Sequence, residues 1–213
     1  MNINIKADLK PLNKQISRVH KKQIPFATSV ALNKTGVKIL SALGANAQKK
    51  FEGGATKQAM RAFKTPKGLR GNKPNISFST KKNLTTTIFM PKWAEKFLIY
   101  QVKGGTRTAN NKAGTGVPYK PNANLNQFGN IKGRKAGLVK GKKQFIATIK
   151  GITGVWERYG TKLRQVKLIV AFEKSVDYNN PKFPFFQIGE MVYKSQFPKI
   201  YEKEIKQAIK TAK

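Results

Sequence analysis

The chain has 213 residues with no cysteine and one histidine, His20, which excludes a disulfide framework and leaves too few ligands for a zinc or iron site. It carries 43 lysines and arginines against nine acids, a net charge of +34, while 13 Phe, 6 Tyr and 2 Trp within a 39% apolar fraction are enough to build a core. No apolar run approaches the roughly 18 residues of a membrane span, and the opening MNINIKADLK lacks the apolar centre of a signal peptide, so folding in the cytoplasm and no membrane contact are expected.

The chain opens with a strand signal over Asn2–Lys6, where Ile3 and Ile5 alternate with polar residues. Leu9, Leu12, Ile16 and Val19 then share one face of a helix over Leu9–Lys22. Pro25 fits the first turn of a second helix, where its missing N–H costs nothing. Phe26, Val30, Val37, Leu40, Ala47 and Phe51 recur three, four or seven apart along about 28 residues of that helix, until Gly53 and Gly54 stop it. Two interior glycines, Gly36 and Gly44, count against it by up to about 1 kcal/mol each relative to alanine. A stripe this long exceeds the needs of a small core, which marks Phe26, Val30, Val37, Leu40 and Phe51 as candidates for packing between subunits.

Ala55–Phe63 reads as a weaker helix and Thr65–Pro74 as a turn-rich loop. Asn75–Thr80 and Leu84–Met90 form a hairpin across Lys81-Lys82-Asn83. Trp93–Val102 is helical, with Trp93, Phe97 and Tyr100 on one face. Between Gly104 and about Lys143 the periodicity disappears: these 40 residues hold eight Gly, six Asn and nine bases, with no acid. A patternless stretch of that length in a compact domain is functional or disordered. Strands follow at Gln144–Lys150, Gly154–Arg158 and Gln165–Phe172. A helical region, Phe185–Ala212, closes the chain and is interrupted at Pro198, which either kinks one helix or starts a second. The order predicts a single α+β domain over 1–213: a long N-terminal helix and a C-terminal helix packed on a small, mostly antiparallel sheet, with a long basic Gly/Asn-rich loop at about 104–143.

No catalytic residue, cofactor site or metal site emerges from this pattern. His20 stands beside Lys21 and Lys22, a poor setting for a general base. The nine acids show no cluster able to hold Mg²⁺; Glu202 and Glu204 are two apart on a helix and point different ways. GGTRTANN lacks the Gly-Lys-Ser/Thr ending of a phosphate-binding loop. What remains is affinity for polyanions. Lys103, Arg107, Lys112, Lys120, Lys132, Arg134, Lys135, Lys140, Lys142 and Lys143 can follow phosphates or meet an acidic partner, with Tyr119 and Phe128 available for stacking. Only seven of the 43 bases are arginine, which disfavours geometrically specific base readout.

Several segments, in order, resemble the tail-completion proteins of tailed phages related to the lambda minor tail protein Z. They are IPFATSVALNKTG (Ile24–Gly36), KFLIYQVKGGTRTANN (Lys96–Asn111), VPYKPNANLNQFGNIKG (Val117–Gly133) and GVWERYG (Gly154–Gly160). An apolar strand, an aromatic-rich turn and a terminal helix complete the set over Leu168–Lys213. The resemblance implies a non-enzymatic structural protein of the virion neck or tail top. It implies a homo-oligomeric ring, a hexamer, that joins the tail to the DNA-filled head after assembly in the host cytoplasm. Its implied partners are the adaptor or stopper, the tail tube or terminator, and by non-specific contact the genomic DNA. A charge of +34 is high for such a protein. A free DNA-binding or packaging-associated protein is the alternative.

Overall fold

The computed structural model describes residues 1–6, 18–64, 75–109, 115–118, 122–130, 143–162 and 164–211. In chain order the elements are β1 (Asn2–Lys6), α1 (Arg18–Lys50), α2 (Lys57–Arg61), β2 (Ile76–Ser77), β3 (Thr85–Phe89), α3 (Lys92–Lys103), β4 (Gly105–Thr108), β5 (Thr115–Pro118), β6 (Gln144–Ile149), β7 (Ile152–Tyr159), β8 (Gln165–Glu173), β9 (Ser175–Tyr178) and α4 (Phe185–Lys210). The class is α+β, with long helices near both ends and small antiparallel sheets. The chain divides into two compact units, one of Met1–Lys50, Ala55–Val102 and Lys182–Lys213, the other of Phe51–Gly54 and Lys103–Pro181.

In the first unit β3 is central, pairing antiparallel with β1 on one side and β2 on the other. The predicted hairpin is therefore present, and β1 joins it from the far N-terminal side. Helix α1 spans 33 residues, about 50 Å at 1.5 Å per residue. It runs straight through Pro25, which is not in its first turn as predicted, and packs along α4. Lys34 Nζ meets Glu204 Oε1 at 2.7 Å and Lys38 Nζ meets Gln196 Oε1 at 2.7 Å, so the two helices run antiparallel. Helix α4 likewise continues through Pro198, where an interruption was expected. Residues 7–17, which hold most of the predicted first helix, lie outside the described residues, as does the predicted loop from 65 to 74.

The buried residues of α1 include Ile24, Ala27, Thr28, Ser29, Ala31, Leu32, Asn33, Thr35, Ile39, Leu40, Leu43 and Ala47. The face they make is rotated from the one the apolar spacing suggested, because Thr28 and Thr35 belong to it. Their hydroxyls donate to the carbonyls of Ile24 and Ala31 one turn back, both at 2.8 Å, so neither is buried unsatisfied. Gly36 lies where the helix touches the sheet: a Cβ there would stand 2.8 Å from Thr86 Cγ2 and 2.9 Å from Ile76 Cδ1. The expected propensity cost is real, and close approach of helix to sheet is what it allows.

Beside this contact a buried polar cluster ties helix to hairpin. Asn33 Nδ2 donates to the Ser79 carbonyl at 3.1 Å, and Asn33 Oδ1 accepts from the Ser79 amide at 2.8 Å and the Thr86 hydroxyl at 2.7 Å. The Ser29 hydroxyl adds a second bond to the Ser79 carbonyl at 3.0 Å. Every member is less than a tenth exposed, and each is satisfied by the others, which is the condition for polar groups to sit in a core without penalty.

The second unit holds a four-stranded antiparallel sheet in the order β5-β8-β7-β6 and a two-stranded ribbon, β4 with β9. Val155, Ile169 and Val170 form its core, with Ala123 and Phe172 packed against them. The stretch from 104 to 143 is thus not patternless. Its strands β4 and β5 are too short, and too exposed where described, to announce themselves by alternation, and they are held by partners distant in sequence. Strand β9 was not anticipated at all.

Candidate partner-binding surface

Of the ten basic residues singled out from the sequence, Lys103, Arg107 and Lys143 are described, and all three are exposed. Lys112, Lys120, Lys132, Arg134, Lys135, Lys140 and Lys142 lie outside the described residues, as does Tyr119. Phe128 is half-buried in a turn organised by Asn126, whose Oδ1 accepts from the Phe128 and Asn130 amides at 2.9 and 3.0 Å.

Lys103 closes α3, and Gly104-Gly105 turns the chain into β4. Both glycines have positive φ, and a Cβ on Gly104 would stand 2.7 Å from the Tyr178 carbonyl oxygen, so this dipeptide is a structural turn. Arg107 then sits opposite Val176 on the ribbon. The neighbouring Thr106 hydroxyl donates to Asp177 at 2.6 Å, which ties up an acid close to Arg107.

Lys143 leads into β6, and its carbonyl accepts from the Arg158 amide at 2.9 Å. Across the sheet, Glu157 accepts from Gln144 Nε2 at 2.6 Å and pairs with Lys167 Nζ at 3.1 Å. The Gln144 hydrogen bond first, then Lys167 and the positive field of Lys143, hold the Glu157 carboxyl below the usual glutamate range, against the opposing effect of burial. Two cation–aromatic contacts belong to the same sheet: Arg158 lies 4.9 Å over the Phe145 ring and Lys167 lies 5.8 Å over that of Tyr159. Sequence reasoning missed these pairs because they depend on strand register, which residue spacing does not reveal.

The five residues marked for subunit packing separate. Leu40 is 1% exposed and is spent on the core of its own unit. Phe26 is 43% exposed under Lys81, whose Nζ stands 4.9 Å from the ring centroid. Val30, Val37 and Phe51 are half-buried. Among the described residues no three His, Cys, Asp or Glu side chains gather as metal ligands do, and no helix is long and apolar enough to cross a membrane. Glu202 and Glu204 do diverge: Glu202 pairs with Lys206 in solvent, whereas Glu204 is buried against Lys34.

The described acids are largely engaged with the chain itself, through Met1–Glu95, Lys34–Glu204, Lys167–Glu157, Lys194–Glu190 and Lys206–Glu202 ion pairs. Nine acids cannot neutralise 43 bases in any arrangement, so most of the positive charge is left for counter-ions or a partner. Comparison with known proteins finds no matching family model, no matching curated protein and no matching solved structure.

Proposed function

We propose that this chain is a non-enzymatic structural protein of the neck or tail top of a tailed-phage particle. In this reading it completes the tail and joins it to the DNA-filled head as a ring of identical subunits. The observation that carries the reading is the run of segments, in order from Ile24 to the C-terminus, that resemble tail-completion proteins. In the fold these segments take definite places. IPFATSVALNKTG contains the Asn33 clamp and the Gly36 contact; KFLIYQVKGGTRTANN supplies much of α3, the glycine turn and β4; GVWERYG supplies most of β7. The exposed Phe26 and its half-buried neighbours Val30 and Val37 give α1 a face to offer another subunit.

The test is to delete the gene and image the particles. Full heads and separate tails that fail to join are the expected result, together with a ring-sized mass for the purified protein by light scattering at moderate salt. Particles that assemble normally would overturn the joining role. The net charge of +34 favours a second reading, non-specific binding to genomic DNA or a part in its packaging. Tight duplex binding at about 200 mM salt, with normal particle assembly in the deletion, would establish that reading instead.

A further inference from the structure

Strand β1 ends the sheet order β1-β3-β2, so its outer edge has no strand beside it among the described residues. The hydrogen-bond phase identifies what that edge presents. The Met90 amide donates to the Met1 carbonyl at 2.9 Å, and the Phe89 amide donates to the Asn75 carbonyl on the opposite side of β3 at 3.1 Å. Ile3 and Ile5, opposite Ile88 and Thr86, therefore exchange bonds with β3, and Asn2, Asn4 and Lys6 turn their N–H and C=O groups outward. Along this strand lies a cavity of about 280 Å³, walled by β1 and by Phe186, Gly189 and Tyr193 of α4. Helix and strand approach closely there, since a Cβ on Gly189 would stand 2.6 Å from Ile3 Cδ1. Phe186 is 42% exposed. The one acid on the cavity wall, Glu190, is matched by Lys194 at 2.6 Å, which leaves Lys6 to set the local sign.

Main-chain groups with no strand partner among the described residues, beside a pocket for alternate side chains, are the ingredients of recognition by strand addition. The charge selects the occupant. A second copy brings another +34 and only nine acids, whereas an acid-rich chain is attracted by the whole molecule. We infer that the outer edge of β1 accepts an extended acidic segment of a different protein, which pairs with Asn2, Asn4 and Lys6 as a fourth strand and sets one apolar side chain against Phe186 and Tyr193. The acidic partner follows from the charge argument used above. The strand pairing rests on the geometry of β1 alone and holds whether or not the chain works at a phage neck.

The full-length protein is titrated into fluorescein-labelled peptide DEVTFTVED and two versions N-methylated at alternate residues, one at odd and one at even positions. Strand addition uses the amides of one edge only. The unmodified peptide and one methylated form should bind alike, and the other should bind at least about tenfold more weakly. Asn4→Pro removes an outward N–H and the exposed bond from the Thr87 hydroxyl to Asn4 Oδ1 at 2.7 Å, leaving the main-chain bonds to β3 in place, and should lose a similar factor with a melting temperature lowered by no more than a few degrees. If that variant misfolds, the methylated pair still decides. Equal binding by both methylated forms, or no binding by the unmodified peptide, overturns strand pairing. A lysine-flanked KKVTFTVKK that binds as well as the acidic peptide overturns the acidic partner. An oligomer that Asn4→Pro dissociates would assign the edge to a second copy instead. None of these outcomes bears on particle assembly, so the deletion test above stands apart.

Discussion

Removing the Asn33 side chain tests whether the buried polar cluster holds α1 to the hairpin. In Asn33→Ala the Thr86 hydroxyl, 0% exposed, loses its acceptor at 2.7 Å, and the Ser79 amide keeps only a contact of 3.3 Å to Thr86 Oγ1. The Ser79 carbonyl still has the Ser29 hydroxyl, so it is not orphaned. Two buried donors left short at about 1–3 kcal/mol each place the cost near 3 kcal/mol. For a chain of this size that lowers the melting temperature by about 6–12 °C. Thermal and urea unfolding followed by circular dichroism measure both quantities. Thr86→Val removes the hydroxyl that lost its partner, so the double variant should be about 1 kcal/mol more stable than the sum of the singles predicts. A single variant within about 0.5 kcal/mol of wild type, or strict additivity in the double, would show that the cluster contributes no more than a solvent-exposed polar contact does.

The two glycines of α1 should respond differently. Gly36→Ala drives a methyl against Thr86 and Ile76 and is expected to cost about 1–3 kcal/mol by unfolding, while at Gly44 the tightest contact, Phe63 Cβ at 3.3 Å, has to give by only a few tenths of an ångström, so the better helix former should stay within about 1 kcal/mol of wild type. Because the Glu157 carboxyl titrates lower in the folded chain than in the unfolded one, its contribution to stability is full above the ordinary glutamate range and is lost as pH falls through the lowered value; Glu157→Gln should flatten that acid limb of the unfolding profile, and a superimposable profile would refute the assignment. If Lys103, Arg107 and Lys143 contact phosphates, changing all three to Gln should reduce the slope of log affinity for duplex DNA against log salt by up to about 2.7 in magnitude, and an unchanged slope would show that their charge is incidental.

Long elements with local signals were legible in the sequence. The C-terminal part of α1, the spans of α3 and α4, the β2–β3 hairpin and the β6, β7 and β8 strands follow from periodicity and glycine punctuation. The face of α1 was not, because Thr28, Thr35 and Asn33 are buried by bonds whose acceptors and donors lie in the helix's own preceding turn or some fifty residues away. On α3 the size of the side chain misled instead, since Ala94 and Leu98 are buried while the larger Trp93 is 41% exposed. Pro25 was read as the start of a helix, and Pro198 as a kink in one helix or the start of a second. Each helix instead loses one backbone bond there and keeps the long packing of α1 on α4. Strands β4, β5 and β9 are four residues each, too short for alternation to register, and the outward phase of β1 required a register that no local pattern encodes.

The charge gains a more definite meaning from these details. A cation-rich surface alone attracts DNA and acidic proteins alike, and its attraction fades as salt rises. It confers no orientation, since Lys side chains act as point charges and most of the bases are lysine. Orientation has to come from groups with fixed geometry. The second unit offers the ribbon bearing Arg107 and the sheet on which Arg158 and Lys167 are held against aromatic rings. The first unit offers the outer edge of β1, whose amides and carbonyls are set at strand spacing beside a pocket. Main-chain groups of that kind can register a polypeptide and have nothing comparable to register on a duplex. In the strand-addition proposal, charge draws a partner in, and the edge of β1 selects for protein over nucleic acid once it arrives.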